Sequence, residues 1–202
     1  SAAKGMGLGG QTGHDRRYDV ADDYMQVVYK LWEGSWADDA VAADKSRRVF
    51  ADPAKVRAVK HQGEFYQLDA IHLCEPSPQR TPVLYQAGAS GRGRAFAAEH
   101  AECVFINGPS QQVVAPYVTD LRKRAVEAGR SPDSLRIFTL ATVIVGRDDR
   151  EAEAKLADYR RFVDHEASLT LLSGWTGIDF SKYALDQVLT NVKTEAMHSA
   201  VA

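Results

Sequence analysis

Glycine, serine and arginine are concentrated in one short stretch, Gln86-Ala87-Gly88-Ala89-Ser90-Gly91-Arg92-Gly93, between a strand-like run and a helix-like one. A glycine turn leading into a helix is a place where phosphate binds. Bare N–H groups at a helix start carry about half a positive charge, and glycine lets an anion approach them closely. Ser90 offers a hydroxyl donor there, and Arg92 or Arg94 further charge. The competing reading is a tight turn with no ligand. A second feature is His14 with Tyr18, four residues apart at a helix start. At that spacing an imidazole N–H and a phenolic O–H can face one ligand as neutral donors. The alternative is a buried histidine beside a half-buried tyrosine.

Other chemistries fit less well. No Lys follows the last glycine of the turn, which excludes the triphosphatase P-loop pattern. The glycines run G-x-x-G-x-G, and the next strand closes on Ile106-Asn107 without an acid, unlike the dinucleotide fingerprint. Gly88-Ala89-Ser90-Gly91-Arg92 approaches the nucleophile elbow of hydrolases, with His165 or His198 as a base, but Arg92 stands where the second glycine belongs. His72 with Cys74 and His100 with Cys103 lack further ligands at metal-binding spacing, so no metal site is expected.

The elements that must position these groups follow from the hydrophobic pattern. Ala21, Tyr24, Met25, Val28, Leu31 and Trp32 mark a helix after His14, with Asp15 as its N-cap and Gly34 as its stop. Five glycines among the first thirteen residues mark a mobile opening. From Ser35 to about Arg80 the pattern breaks down into an insertion, residues 35–80, with short strands near Val56–Val59 and Phe65–Leu68. A segment this long suits a lid or wall over a site.

Alternation then begins. Pro82–Gln86 reads as a strand, Arg94–Ala101 as a helix, Cys103–Ile106 as a strand, Pro116–Ala128 as a helix and Leu135–Val145 as a strand. Asp148-Asp149 cap another helix with Leu156, Tyr159, Phe162 and Val163 inward; Tyr24, Trp32 and Phe162 are read as core. The tail beyond Gly174 reads as loop, with a last helix near Val192–Val201. This order means a parallel sheet covered by helices, in one domain spanning residues 1–202. The architecture is either an open sheet or a (β/α)₈ barrel, and a whole barrel takes about 250 residues.

Composition narrows the function classes. The 202 residues are 45% hydrophobic and 26% charged, with a formal charge of −2, which excludes disorder and a disulfide scaffold. Near-neutral charge gives no reason to expect nucleic acid or an anionic membrane. Cys74 and Cys103 form no C-x-x-C pair, and no apolar run is long enough to span a bilayer, so a reduced cytoplasmic protein acting on small molecules is expected.

His14-Asp15-Arg16-Arg17-Tyr18, Leu31-Trp32-Glu33-Gly34-Ser35-Trp36, the set His61, Gly63 and Phe65, Ser77-Pro78-Gln79, Tyr85-Gln86-Ala87-Gly88-Ala89-Ser90 with Phe96-Ala97-Ala98, and Ser173-Gly174-Trp175-Thr176-Gly177 together carry a resemblance. In this order they resemble the nitrilotriacetate and dibenzothiophene-sulfone monooxygenase group of the bacterial-luciferase-like superfamily. The resemblance implies an α/β fold of the (β/α)₈ TIM-barrel type, here an incomplete C-terminal-side portion carrying the insertion. It implies FMN, used as FMNH₂ supplied by a separate NAD(P)H:FMN reductase, and O₂ to oxygenate a small organic substrate through a flavin C4a-(hydro)peroxide. It assigns His14 and Tyr18 to the ribityl-phosphate chain and Ala89, Ser90 and Gly91 to the phosphate, and it implies a homo-oligomer. Asp69-Ala70-Ile71-His72-Leu73 lacks the Gly-Pro usual in that group, and the strands that would hold the isoalloxazine and most of the substrate are missing. The alternatives are a non-catalytic flavin-binding or interaction protein built on a shortened barrel, a deazaflavin enzyme, or the hydrolase.

Overall fold

The structure is a computed structural model, and it describes residues 2–184 and 186–189. Its centre is a three-stranded parallel sheet in the order β5 (Tyr85–Ala87), β6 (Cys103–Ile106) and β7 (Arg136–Thr139). The crossovers are α3 (Gly91–His100) and α4 (Gln111–Glu127). Val104 and Ile106 of β6 bury against Ala97, Ala101, Leu121, Ala125 and Leu135, with Ile137 alongside, so both helices cover one face of the sheet. On the other face Tyr85, Phe105 and Phe138 stack in a row, with ring centroids 6.0 and 5.1 Å apart, and all three are exposed.

Ahead of the sheet stand α1 (Ala2–Gly5) and the long helix α2 (His14–Gly34). Two antiparallel hairpins follow, β1 (Val41–Asp44) with β2 (Val49–Ala51), and β3 (Val59–Gln62) with β4 (Gln67–Ala70). Beyond the sheet lie α5 (Asp149–Arg160) and α6 (His165–Thr176). No described helix is long and apolar enough to cross a membrane.

The parallel α/β order expected from sequence is present, but the described residues form an open sheet and two hairpins, not a closed barrel. The insertion is not a loose loop. Ser35 and Trp36 are buried at the end of α2. Ser35 Oγ donates to the Arg57 carbonyl at 3.1 Å and accepts from the His72 amide at 2.8 Å, while Trp36 Nε1 donates to the His72 carbonyl at 2.9 Å. These bonds tie the insertion to the end of α2.

Several boundaries differ from the expected ones. α2 starts at His14 with Gly13 at the N-cap, and Asp15 instead pairs with His14 Nδ1 at 2.7 Å. Gly34 is helical and the following Ser35 stays right-handed, because the buried Ser35 hydroxyl already ties the chain down. α4 starts five residues before Pro116, whose missing N–H suggested a first helical position. The last strand ends at Thr139, leaving Leu140, Val143 and Val145 exposed beyond the paired ladder. The opening contains the helical turn α1, and α6 takes in Trp175 and Thr176, which had read as loop. Tyr159, Phe162 and Val163 are exposed, as is Tyr24, which leans edge-on against Tyr66 with centroids 5.8 Å apart. Phe162 and Val163 are 77% and 56% exposed among the described residues. The expected helix near Val192–Val201 lies outside the described residues.

Candidate functional site

β5 ends at Ala87 and is followed by Gly88, whose φ of +154° is one that a side chain would strain. The Gly88 amide donates to the Phe105 carbonyl at 3.2 Å, which fastens the turn to the sheet. Ala89 is buried and Ser90 caps α3, its Oγ accepting the Gly93 amide at 3.0 Å. An N-cap serine satisfies one of the donors at a helix start and leaves the N–H groups of Gly91 and Arg92 without an intrahelical acceptor. The Ser90 O–H proton is still available to donate.

Tyr18 reaches this turn from α2. Its hydroxyl accepts from Gln86 Nε2 at 3.4 Å across 68 positions of sequence. A Cβ on Gly88 would lie 3.2 Å from Tyr18 Oη, and one on Gly93 would lie 2.6 Å from it and 3.0 Å from Ser90 Oγ. The two hydroxyls therefore border the same glycine. Tyr18 also packs on Phe96 of α3 at 5.6 Å and on His14 at 5.3 Å between centroids, and His14 is buried. Of the five residues singled out from sequence, Ala89, Ser90 and Gly91 form the turn, Tyr18 touches it, and His14 stands behind Tyr18. Gln86 and Gly93 complete the arrangement; the signal for Gly93 was a third glycine one turn into the helix.

The arginines are placed differently from the sequence expectation. Arg92 pairs with Asp22 and reaches Asp19 at 3.3 Å, while its guanidinium lies 5.5 Å from the Tyr18 ring centre. Arg94 donates to Asp120 at 2.5 Å and to the Ala89 carbonyl, and it stacks 4.8 Å over Tyr117. Carboxylates from neighbouring helices already neutralise both charges, so neither guanidinium is free for an anion. Arg94 instead braces the turn. For Asp120, burial works against ionisation, but Arg124 and Arg94 outweigh it and hold the carboxyl below its usual range. For Asp23 on α2, burial likewise opposes ionisation, and the amides of Phe65 and Tyr66 together with His61 outweigh it.

A lowered carboxyl pKa stabilises the fold above the ordinary carboxylate range, and the stabilisation is lost as pH falls through the lowered value. The melting temperature is therefore expected to hold between pH 7 and about 5 and to fall below about pH 4. Asp120→Asn should flatten that fall; an unchanged slope would remove Asp120 from the account.

Asp22 Oδ1 lies 3.2 Å from His100 Nε2, and His100 Nδ1 lies 3.0 Å from the Tyr29 hydroxyl. With Glu99 this is a three-residue group of metal-ligating type, but Arg92 holds the other oxygen of Asp22. A cation there would face a guanidinium, so the group is a hydrogen-bond network joining α2 to α3. Tyr18, Asp22 and Tyr29, spaced at i, i+4 and i+11, share the side of α2 that meets α3. A second concavity lies one strand further along the C-terminal edge of the sheet. It encloses about 910 Å³ between Asn107, Ser110, Val114, Thr139 and Thr142. Asn107, Ser110 and Thr142 line that concavity at the start of α4, whereas the Ser90 turn is where hydroxyls from α2 and α3 come together at one glycine.

Comparison with known proteins places the chain in a family. The family model described as luciferase-like monooxygenase matches residues 2–198. Dimethyl-sulfide monooxygenase of Hyphomicrobium sulfonivorans is 50% identical over 201 residues, covering 100% of this chain and 42% of that protein. The crystal structure of a long-chain alkane monooxygenase, an enzyme also matched from Geobacillus thermodenitrificans, superposes with a TM-score of 0.86 at 46% identity, over 95% of this chain and 44% of that one. A riboflavin lyase solved with modified FMN and its substrate riboflavin superposes with a TM-score of 0.90 at 36% identity, over 99% of this chain and 44% of that one. The chain thus spans less than half the length of the relatives it matches. Dibenzothiophene-sulfone and nitrilotriacetate monooxygenases are also among them, as the sequence resemblance implied. With a family model covering nearly all its residues and relatives this similar, the chain belongs to the luciferase-like monooxygenase family.

Proposed function

We propose that this chain carries the flavin-phosphate grip of an FMNH₂-dependent monooxygenase, which takes its reduced flavin from a separate NAD(P)H:FMN reductase and oxygenates a small organic substrate. In this reading the chain is the C-terminal-side portion of a luciferase-like (β/α)₈ barrel, and the 35–80 segment is a wall of the site. The observation that carries the reading is the packing of Tyr18 against the Gly88–Gly93 turn, which brings hydroxyls from α2 and α3 to one glycine at a helix start. The donor set suits a phosphate monoester: the Ser90 hydroxyl, the amides of Gly91 and Arg92 and the Tyr18 hydroxyl are all neutral, and the helix dipole supplies the positive end. His14, buried behind Tyr18, would hold that ring in place and border the ribityl chain.

Bound in reduced form, FMN supplies the electrons that activate O₂ for transfer of one oxygen atom to the substrate. The residues of this chain fix the flavin tail, and the insertion wall keeps water from one side. The relatives are named for dimethyl sulfide, long-chain alkane and dibenzothiophene sulfone. A weakly polar organic molecule is the substrate class that fits this reading.

Titration of the chain with FMN tests it. Binding is expected well below millimolar, and Ser90→Ala should weaken it about tenfold or more, the value of one hydrogen bond to a charged group. Ser90→Ala also removes the cap of α3 and should cost about 1 kcal/mol of stability. Riboflavin, which lacks the phosphate, should lose the distinction between wild type and Ser90→Ala. A protein extended to the length of the relatives that binds neither FMN nor FMNH₂ below millimolar overturns the proposal.

A further inference from the structure

α2 has a second working side. Arg16, Asp23 and Lys30, at i, i+7 and i+14, lie along it, and each engages the β3–β4 hairpin, residues 59–70. Asp23 is at the centre. Its Oδ1 lies 2.5 Å from His61 Nε2, and its Oδ2 accepts the amides of Phe65 at 2.7 Å and Tyr66 at 2.9 Å. The Asp23 and His61 side chains are 11% and 7% exposed, so the pair is buried. Lys30 Nζ lies 3.1 Å from His61 Nδ1 and 3.1 Å from the Lys60 carbonyl. An ammonium only donates, so Nδ1 accepts and the ring proton sits on Nε2, where it meets Asp23.

A Cβ on Gly63 would overlap both the Asp23 carboxylate and His61 Nε2, so glycine is what admits the carboxylate to the hairpin. At the hairpin tip Glu64 pairs with Arg16, and the Arg16 guanidinium lies 4.3 Å over the Phe65 ring. His61, Gly63 and Phe65 stood out in the sequence, and the Ser90 turn does not use them.

We infer that the β3–β4 hairpin is a splint that fixes the roll of α2, and that Asp23 is a positioning residue acting through it on Tyr18. Arg16, which the hairpin tip holds, falls between His14 and Tyr18 on the same helix. A roll of about 20° moves a side-chain tip some 5 Å from the helix axis by about 2 Å, enough to break a hydrogen bond. The network of Asp22, Tyr29 and His100 holds α2 from the α3 side, and the hairpin holds it from the other. The inference rests on the flavin reading above only for its functional readout.

Asp23→Asn tests it. The amide keeps one oxygen for the two backbone N–H groups but turns an NH₂ towards His61 Nε2. The imidazole must then carry its proton on Nδ1, against the Lys30 ammonium. Lys30→Gln provides an acceptor for that proton. FMN affinity is expected to fall about tenfold in Asp23→Asn, less than threefold in Lys30→Gln, and to recover to within about threefold of wild type in the double variant. Hydrogen exchange at the amides of residues 17–22 should accelerate in Asp23→Asn and return in the double variant.

If wild type binds FMN and every variant binds equally with unchanged exchange, the splint is overturned. Loss in Asp23→Asn without recovery in the double variant also overturns it, since a merely structural role predicts additive damage. If no protein binds FMN but the exchange pattern appears and reverses, the splint stands and the flavin reading falls.

Discussion

Replacing Gly93 by alanine is expected to damage both the fold and the proposed flavin grip, whereas the same change at Gly91, two residues away, leaves the fold intact. A methyl at Gly93 would sit 2.6 Å from Tyr18 Oη, 3.0 Å from Ser90 Oγ and 3.3 Å from Tyr18 Cζ. The position is buried, and Phe96, His14 and Arg92 surround the Tyr18 ring, so the phenol has little room to retreat. Overpacking of this kind costs about 1–3 kcal/mol. At Gly91 a Cβ meets nothing within 4 Å, and stability should stay within about 0.5 kcal/mol. The displaced atom is mainly the hydroxyl, which gives the experiment a second arm. Gly93→Ala with Tyr18→Phe should regain most of the lost stability, because the nearest clashing atom is gone. FMN affinity should nonetheless remain about 10–100-fold below wild type, since the hydroxyl donor is displaced in Gly93→Ala and absent from the double variant. Chemical denaturation and flavin titration of the four proteins separate the two effects. Recovery of affinity along with stability would mean that Tyr18 contributes shape and not a hydrogen bond.

The parts of this site that could be read in the sequence are those whose physics is local. Ser90 beside a helix start, with glycines near it, was legible as a hydroxyl donor, although α3 begins at Gly91, three residues before the expected Arg94, with Ser90 as its cap. β6 was found to the residue, because Cys103, Val104 and Ile106 are all buried and polar residues flank the run. What depends on distant partners was not legible. Arg92 and Arg94 were visible as charges, but Asp22 and Asp120, which neutralise them, lie on other helices. His61, Gly63 and Phe65 were visible as a motif, yet their common partner Asp23 lies 38 positions before His61. The β1–β2 hairpin escaped for a different reason. Its turn is the charged run Lys45–Arg48 with no glycine, Ala43 and Arg48 take positive φ values of 46° and 56°, and the ladder is irregular between Val41 and Asp44. A turn that breaks the usual residue preferences is held by its own contacts, here the Asp44 carboxylate accepting from Ser46 Oγ at 2.7 Å and from the Arg47 amide at 3.0 Å.

The aromatic row on the open face of the sheet leads to the second large effect, in which one substitution has a different cost in two lengths of protein. Phe105 and Phe138 pair in register on neighbouring parallel strands, Tyr85 stacks on Phe105 from two positions off register on the third, and Phe105, in the middle, is 46% exposed. Parallel sheets are ordinarily covered on both faces. Among the described residues only the face bearing Val104, Ile106 and Ile137 is covered, by α3 and α4. The relatives are more than twice as long as the part matched, and under the partial-barrel proposal their remaining strands would close over the aromatic row. Phe105→Ala in the 202-residue chain should then cost about 1 kcal/mol or less, because the ring is half in water already, and should reduce self-association by shrinking an exposed apolar strip. In a protein extended to the length of the relatives the same change should open a cavity in the barrel interior and cost about 3–5 kcal/mol. Equilibrium denaturation of wild type and variant at both lengths measures the difference. An equal, small cost at both lengths would show that nothing covers this face, and the sheet would then have to be treated as open.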